Sequence, residues 1–296
     1  MMILRTIDKI FRIFTFFYET FEDKSTYNFV MKGLKDKFFF AILFAWVLHF
    51  GVNAQCQIDS KAFAPGEVIK YHAYYNWGFI WINAGEVEFK VTSKKYEGRD
   101  VYHLYGWGTS FKSYDWIFKV RQKYQSYIDA ETLLPLWYER DVVEGTYTAF
   151  EEYKFDYANS QIRTYIQVKQ NPAVTNSLPF SPCRFDVMSA IYYFRSVDFS
   201  KYRVGDRIPI DIVVDREMHR LYMRYLGKDE VETRDRKKHK CLKFAIQLVE
   251  GTIFKAGEEA VVWVTDDKNR VPVIVEAPIL VGTVKAILAD TKGLKH

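Results

Sequence analysis

A single amphipathic helix in the middle of a chain of strands is the feature that most limits the fold. Residues 186–196 carry apolar side chains at three- and four-residue spacing, which predicts a helix with one apolar stripe: Val187, Ala190, Ile191 and Phe194. Asp186 stands at the N-cap position, where its carboxylate can accept hydrogen bonds from the free amides of the first turn. The stripe therefore must lie on a sheet face or in the opening of a barrel, because the flanking sequence consists of strands.

Alternating apolar and polar residues predict strands on both sides of this helix. One series occupies residues 66–168 and a second occupies residues 204–290, with turn residues such as Glu97-Gly98 between strands. In the second series we expect separate strands at 221–226 and 230–233. The sequence predicts one all-β domain with a central helix, residues 66–290, in which an antiparallel meander forms an open or partly closed barrel. The helix packs on or across the opening.

The composition supports a large aromatic core and gives no indication of nucleic-acid binding. Apolar residues make up 49% of the chain and aromatic residues 18%, while the net charge is only +5. The three cysteines are too few and too scattered for a disulfide framework or a zinc ribbon. One bridge between Cys183 and Cys241 is an alternative to unpaired cysteines. The histidines have no metal-ligand spacing, so neither a metal nor a cofactor is expected.

The N-terminal region carries an export signal at residues 31–54. Lysines precede the apolar run 38–48, and small residues follow up to Ala54, which is the order of charged, apolar and cleavage regions in a secretory signal. The apolar run breaks at His49 and is shorter than the ~20 residues that span a bilayer. We therefore expect export to the periplasm or cell envelope of a Gram-negative bacterium, with cleavage after Ala54.

Met31 opens this signal cleanly, so residues 1–30 are interpreted as an extension upstream of the true start. Residues 55–65 are interpreted as an N-terminal linker. Cys56 suggests a lipoprotein, but Gln55 stands where a small residue should precede a lipidated cysteine. The exported protein is therefore expected to be soluble.

Two groups of aromatic and apolar residues are candidates for binding. The first group is predicted on inward strand faces and on the helix, where it could line a cavity for an apolar ligand: Tyr71, Tyr75, Trp77, Tyr105, Trp107, Ile191 and Phe194. A filled core would use the same residues, as small barrels usually do. The second group lies in the connection 78–83, where turn chemistry expects polar residues, and could contact a partner or a membrane: Phe79, Ile80, Trp81 and Ile82.

Several short motifs occur in a consistent order along the chain. They are Gly66-Glu67, Ala84-Gly85-Glu86, Leu134-Pro135 with Tyr138, Ser189-Ala190 inside the helix, and Val262-Trp263-Val264-Thr265-Asp266-Asp267 before Arg270-Val271-Pro272-Val273. Together they resemble the DUF3108 family, bacterial envelope proteins of unknown function, over about residues 66–288. The resemblance implies an exported, β-rich protein and brings no catalytic residue. A likeness to open-barrel lipoprotein carriers of the periplasm is one of fold alone.

Three functions compete at this point. The first is a non-enzymatic carrier that holds an apolar envelope molecule in a curved sheet, with the helix as a movable cover joined by connections containing Pro179, Pro182 and Gly205. The second is a structural or protein-interaction module of the envelope with a filled core. The third is a hydrolase of envelope polymers, which lacks a recognisable set of nucleophile, base and orienting residue. An enzyme is therefore not expected.

Overall fold

The computed structural model describes residue 58 and residues 61–77, 80–180, 183–249, 257, 259–279 and 282–296. The predicted upstream extension 1–30, the signal peptide 31–54, Gln55, Cys56 and Phe79 lie outside these residues. Among the residues described, no helix is long and apolar enough to cross a membrane.

Two helices and fifteen strands make up the described chain. The helices are α1 (Asp115–Phe118) and α2 (Val187–Arg195), with 3-10 turns at Lys112–Tyr114 and Phe199–Lys201. The first eight strands are β1 (Val68–Trp77), β2 (Ile80–Tyr96), β3 (Arg99–Ser110), β4 (Val120–Asp129), β5 (Pro135–Glu144), β6 (Tyr147–Asp156), β7 (Gln161–Val168) and β8 (Val174–Pro179). The others are β9 (Arg184–Phe185), β10 (Arg207–Val214), β11 (Glu217–Glu232), β12 (Lys238–Gln247), β13 (Glu259–Thr265), β14 (Pro272–Pro278) and β15 (Thr283–Lys292).

All fifteen strands belong to one sheet, which is a meander in two directions. Its order is β8-β7-β6-β5-β4-β3-β2-β1-β15-β14-β13-β12-β11-β10-β9, so the first and last strands of the chain pair at its centre. Neighbours are antiparallel except β9 and β10, which are parallel. The two edge strands, β8 and β9, both precede α2 in the chain, and the sheet does not close between them. The predicted all-β meander with an open barrel and one central helix is confirmed.

The prediction of two strands at 221–226 and 230–233 is wrong, because one strand, β11, spans both. Gly227 has a φ of +103°, and the pairing with β12 shifts register between Tyr225 and Gly227. A glycine adopts this backbone conformation at little cost, so the chain forms a bulge and continues as the same strand. The sequence pattern breaks at the bulge although the hydrogen-bonded ladder continues.

The sheet curls until its two halves share one core. Val213 of β10 lies in the same buried cluster as Tyr153 of β6 and Ile162 of β7, although these strands are far apart in the sheet order. Phe63 also belongs to this cluster, and its ring centre lies 4.7 Å from that of Tyr192 in α2. This part of the predicted linker 55–65 is therefore packed into the core.

The curled sheet has two distinct ends. One end, which we call the mouth, carries the connections β1–β2, β3–β4, β5–β6 and β10–β11. Val120 pairs with Glu144 across β4 and β5, and on the two sides of the open seam Arg140 Nη1 lies 3.5 Å from Asp215 Oδ1. The opposite end, which we call the base, carries the start of β1 and the β13–β14 connection.

Helix α2 forms as predicted, with its cap in place. It runs from Val187 to Arg195, and Asp186 Oδ1 accepts from the backbone N–H of Ser189 at 2.9 Å. Asp186 Oδ2 also accepts from the hydroxyls of Ser189 and Ser126, each at 2.8 Å. The cap is fully buried, so it fixes the start of the helix to β4.

Arg195 at the end of α2 fixes the helix to the base. Its guanidinium donates to both carboxylate oxygens of Glu67, at 2.6 and 2.8 Å, and to the carbonyl of Asn269 at 3.1 and 3.2 Å. Both partners of the ion pair are buried. The expectation of a movable cover required partial contacts, and these two buried anchors contradict it. Helix α2 is therefore fixed to the sheet at both of its ends.

The two sides of α2 differ from the sequence expectation. Met188 and Tyr192 are fully buried against the shared core. Of the predicted apolar stripe, Val187, Ile191 and Phe194 are half-buried and Ala190 is buried, and all four line the interior of the barrel on another side of the helix. The periodic stripe therefore lines the internal cavity, and the side of the helix that carries Met188 and Tyr192 packs tightly in the core.

Substitutions on the two sides of α2 should differ in their effect on stability. We expect Met188→Ala to lower the free energy of unfolding by about 2 to 5 kcal/mol, because it leaves a cavity in a closed core. Phe194→Ala should cost nearer 1 kcal/mol, since this side chain already borders open space. Urea denaturation of both variants measures the difference, and equal losses would show that the stripe is packed as tightly as Met188.

The cysteines do not form the bridge considered from the sequence. Cys241 on β12 is buried and free, and its burial raises the pKa of the thiol to about 11. Cys183 is disulfide-bonded. The pairing of Cys183 with Cys241 is therefore excluded. The chain has three cysteines, and the remaining one, Cys56, lies outside the described residues.

Candidate functional site

A cavity of about 630 Å³ occupies the barrel between α2 and the mouth. Both halves of the sheet contribute aliphatic and aromatic side chains to its wall, including Ile69, Phe89, Ile212, Met223, Phe244 and Val262. The half-buried stripe of α2 forms its floor. Pockets of this size and character hold drug-sized organic molecules in many proteins.

The polar part of the cavity wall lies towards the mouth. Arg140 of β5 and Glu151 of β6 are register partners, and the guanidinium donates to the carboxylate at 2.5 Å. Tyr153 donates to the other oxygen of Glu151. On the next strand of the sheet, Gln122 donates to Glu144 at 2.5 Å. The cavity therefore has an apolar interior and a hydrogen-bonded rim.

Arg140 remains charged within this rim. Burial disfavours the charged guanidinium, but Tyr124, Glu151 and Tyr138 beside it more than offset that cost and raise the pKa of Arg140. The rim also includes Asp215, which is half-exposed in the β10–β11 turn. The rim therefore carries the guanidinium of Arg140 and the carboxylates of Glu144, Glu151 and Asp215, while Arg195 and Arg270 line the cavity elsewhere.

Two buried polar atoms of the cavity wall lack a hydrogen-bond partner among the described residues. They are Nε of Arg140 and the hydroxyl of Tyr192. An unsatisfied buried polar atom costs about 1 to 3 kcal/mol, so such atoms usually meet water or a ligand. Both can donate, and an oxygen atom of a guest molecule is a suitable acceptor.

The comparisons with known proteins fit this architecture. Residues 70–289 match DUF3108, described as a protein of unknown function. The chain belongs to the DUF3108 family. A β-barrel-like protein with the DUF1849 domain of unknown function, from Brucella abortus, has a TM-score of 0.52 and 7% identity, and the alignment covers 79% of this chain and 99% of that one. This likeness shows a β-barrel-like fold.

A second structure gives a weaker likeness. It is a candidate exported protein with a YmcC-like fold from Bacteroides fragilis, with a TM-score of 0.29 and 9% identity, covering 79% of this chain and 100% of that one. No curated protein sequence matches this DUF3108 protein.

Three of the seven predicted ligand residues line the cavity of this DUF3108 protein: Tyr71, Ile191 and Phe194. Tyr71 donates to the carbonyl of Pro272 at 3.0 Å, and its complete burial raises the pKa of the phenol. Tyr75 lies further along β1 at the mouth, where its ring approaches Gly282, and it is not among the cavity-lining residues of the described chain. Trp77 ends β1, and its side chain is outside the described set.

Tyr105 and Trp107 were predicted to face inwards, and this prediction is wrong. Trp107 Nε1 donates at 3.1 Å to Glu88, which also pairs with a lysine on the outer face of the sheet. Gly106 faces the interior, where an added Cβ would lie 3.0 Å from the ring of Phe89. The interior beside β3 is already filled by Phe89 and Met188, so a large side chain does not fit there, and the aromatic residues point outwards.

The predicted connection 78–83 is much shorter in the structure, because β2 begins at Ile80 and pairs it with Trp77. Ile80 is 65% exposed. Trp81 and Ile82 are half-buried strand residues, and the ammonium of Lys285 lies 4.6 Å from the centre of the Trp81 ring. Of the predicted contact residues within the described chain, Ile80 is the one that is largely exposed.

The polar rim was not predicted from the sequence. Arg140 lies two residues from the buried Tyr138, and Glu151 lies two residues from the buried Tyr153. Each charged residue therefore points to the same face of its strand as a buried tyrosine. A charged residue in phase with buried neighbours is rarely tolerated without a partner. Two consecutive strands thus carry residues of opposite charge on their inward-facing positions. This pattern is the signal in the sequence that could have identified the site.

Proposed function

We propose that this DUF3108 protein is a non-enzymatic binding or carrier protein that holds an apolar envelope molecule in the cavity between α2 and the mouth. The observation that supports this most directly is the cavity itself, which is large, walled by aliphatic and aromatic side chains, and floored by the half-buried stripe of α2. The alternative of a purely structural module depends on a filled core. The core is filled around Met188 and Tyr192, but the space beyond the stripe is open.

The chemistry of the rim favours a particular kind of guest. Three carboxylates and one guanidinium at the opening disfavour a strongly anionic head group. The unpartnered donors on Arg140 and Tyr192 favour a group with acceptor oxygens. We therefore infer an amphiphile with a long apolar part and an uncharged polar group, such as an ester, amide or hydroxyl.

The cavity wall also favours binding over catalysis. Among the described residues that line it there is no serine, threonine, cysteine, histidine or lysine that could act as a nucleophile or as a histidine base. Glu144 and Glu151 are both engaged in short hydrogen bonds with neighbouring side chains. A hydrolase of envelope polymers remains the least supported alternative.

The cellular location belongs to the same proposal. The signal-like residues 31–54 support export to the periplasm or cell envelope, where membrane-derived amphiphiles are present. A carrier there would need to shield an apolar molecule from water, and a deep cavity walled by apolar side chains provides that shielding.

A cavity-filling substitution tests the proposal. Ile191→Trp places a larger ring into the floor of the cavity and should weaken binding of an uncharged fluorescent apolar probe, such as N-phenyl-1-naphthylamine, by about tenfold or more, which corresponds to about 1.4 kcal/mol. Tyr105→Ala is the matched control, because this aromatic residue is on the outer face, and it should bind the probe like the parent. Thermal unfolding checks that both variants are folded.

Organic extracts of the natively purified protein provide the second measurement. Mass spectrometry should find a co-purifying amphiphile in the parent and much less of it in Ile191→Trp. Absence of both probe binding and a co-purifying molecule in the folded parent would contradict the carrier proposal and support the structural module.

A further inference from the structure

Four exposed apolar side chains are gathered at the mouth, and we call them the mouth patch. Their exposed fractions are 65% for Ile80, 82% for Trp116, 61% for Ile117 and 47% for Phe118. Ile80 begins β2, and the other three form most of α1 in the β3–β4 connection. Grouped apolar exposure of this kind marks a contact surface more often than scattered single residues do.

The β3–β4 connection is hydrogen-bonded to β2. The backbone N–H of Phe111 donates to the carbonyl of Ala84 at 2.9 Å, four residues along β2 from Ile80. The carboxylate of Asp115 accepts from Ser110 Oγ and from Arg121 Nη2, each at 2.6 Å. These bonds turn the polar side of α1 towards the sheet, so its apolar side chains are left facing outwards.

The patch is continuous with the opening of the cavity. Gly145 in the β5–β6 turn has a φ of +60°, and an added Cβ there would lie 2.8 Å from the ring of Phe118. The ring of Phe118 therefore rests directly on this turn. The same turn joins the two strands that carry Arg140 and Glu151 of the rim.

Basic residues border the apolar side chains. Lys112 and Lys119 are exposed at the two ends of the α1 segment, while the charge of Asp115 is compensated by Arg121 at 2.6 Å. A tryptophan with aliphatic neighbours and flanking lysines suits the interface of a bilayer that carries negative head groups. We propose that the mouth patch docks this protein onto the surface of an anionic lipid bilayer.

A second copy of the chain is a less suitable occupant. In a two-fold symmetric contact the same patch meets itself, so Lys112 and Lys119 of both copies would be brought into one interface. That repulsion opposes the gain from burying the apolar side chains. Binding to a membrane of opposite charge is favoured both by burial of the apolar side chains and by attraction of the lysines.

Flotation or co-sedimentation with lipid vesicles tests the proposal. The full-length mature protein should bind vesicles of phosphatidylcholine and phosphatidylglycerol in equal parts. The double variant Trp116→Ser with Ile117→Ser should bind them about tenfold more weakly or worse, because two side chains that would enter the bilayer interface are lost. The control Val204→Ser removes an exposed apolar residue near the start of β10, on the base side, and should bind like the parent.

The charge contribution is tested separately. Lys112→Gln with Lys119→Gln should weaken binding to the mixed vesicles, with a smaller effect on vesicles of phosphatidylcholine alone, and added salt should reproduce the loss in the parent. Equal loss on both kinds of vesicle would contradict the role of charge.

Failure of this proposal can be told apart from failure of the carrier proposal. All of these variants should keep the thermal stability and the apolar-probe binding of the parent, because the changed side chains are exposed. A folded parent that binds neither kind of vesicle overturns membrane docking whatever the probe result. If that parent self-associates and the serine double variant is monomeric, the patch is a contact between copies.

Discussion

Arg195→Met should lower the free energy of unfolding by about 3 to 5 kcal/mol, because it leaves the carboxylate of Glu67 buried without its partner. The guanidinium now donates to both oxygens of Glu67 and to the carbonyl of Asn269, and the ion pair is buried on both sides. Chemical denaturation with urea measures the loss. The effect should be among the largest of any single substitution, since one residue links α2, the start of β1 and the β13–β14 connection.

The double variant Arg195→Met with Glu67→Leu is the informative control. When both charged partners of a buried pair are replaced by apolar side chains of similar size, most of the stability commonly returns. We therefore expect the double variant to be more stable than Arg195→Met alone. If the double variant were no better than the single one, the loss would come from the cation–π contacts of the guanidinium with Phe63 and Tyr192, whose ring centres lie 5.9 and 5.1 Å from the guanidinium carbon.

The difference in the free energy of unfolding between Asp186→Asn and the parent should change by about 3 kcal/mol between pH 4 and pH 7. Burial raises the pKa of Asp186 from 3.8 to about 6, even though the hydrogen bonds from Ser189 and Ser126 oppose the shift. The unfolded chain therefore releases this proton more readily than the folded one, and the parent loses stability as pH rises from about 4 to about 6. The shift of about two units corresponds to about 3 kcal/mol at 1.36 kcal/mol per unit.

The asparagine variant has no proton to release at this position. Its free energy of unfolding should therefore increase relative to that of the parent as pH rises over the same range. Urea denaturation of both proteins at several pH values gives the difference directly. Asp198→Asn is a control of opposite sign, because hydrogen bonds from Ser200 lower the pKa of Asp198 and its contribution grows as pH rises. A stability difference between Asp186→Asn and the parent that does not vary with pH would show that the buried cap does not titrate in this range.

The elements that form the cavity differ in how clearly the sequence predicts them, and the local features are predicted best. The period of alternation along each strand is a local property, because successive side chains point to opposite faces whatever the strand packs against. For the same reason β1 to β7 lie within the strand series predicted at residues 66–168. The cap of α2 is equally local, since Asp186 and Ser189 are three residues apart.

The face that each residue occupies is decided by distant neighbours. Tyr105 and Trp107 have the right period for an inward row, but Phe89 and Met188 fill the interior at Gly106 and force the aromatic row outwards. Gly227 is the reason that β11 was predicted as two strands. Its bulge interrupts the alternation of apolar and polar residues but does not interrupt the hydrogen-bonded pairing with β12.

By itself the sequence determined a family, a meander of strands and one capped helix, all of which rest on short-range periodicity and on motifs within single elements. Only the tertiary structure decided that the apolar stripe of α2 faces a cavity, that Arg195 reaches Glu67, and that Arg140 meets Asp215 across the open seam. The physical reason is the same in each case. The partners lie 75 to 128 residues apart, and their contact exists only once the sheet has curled around the helix.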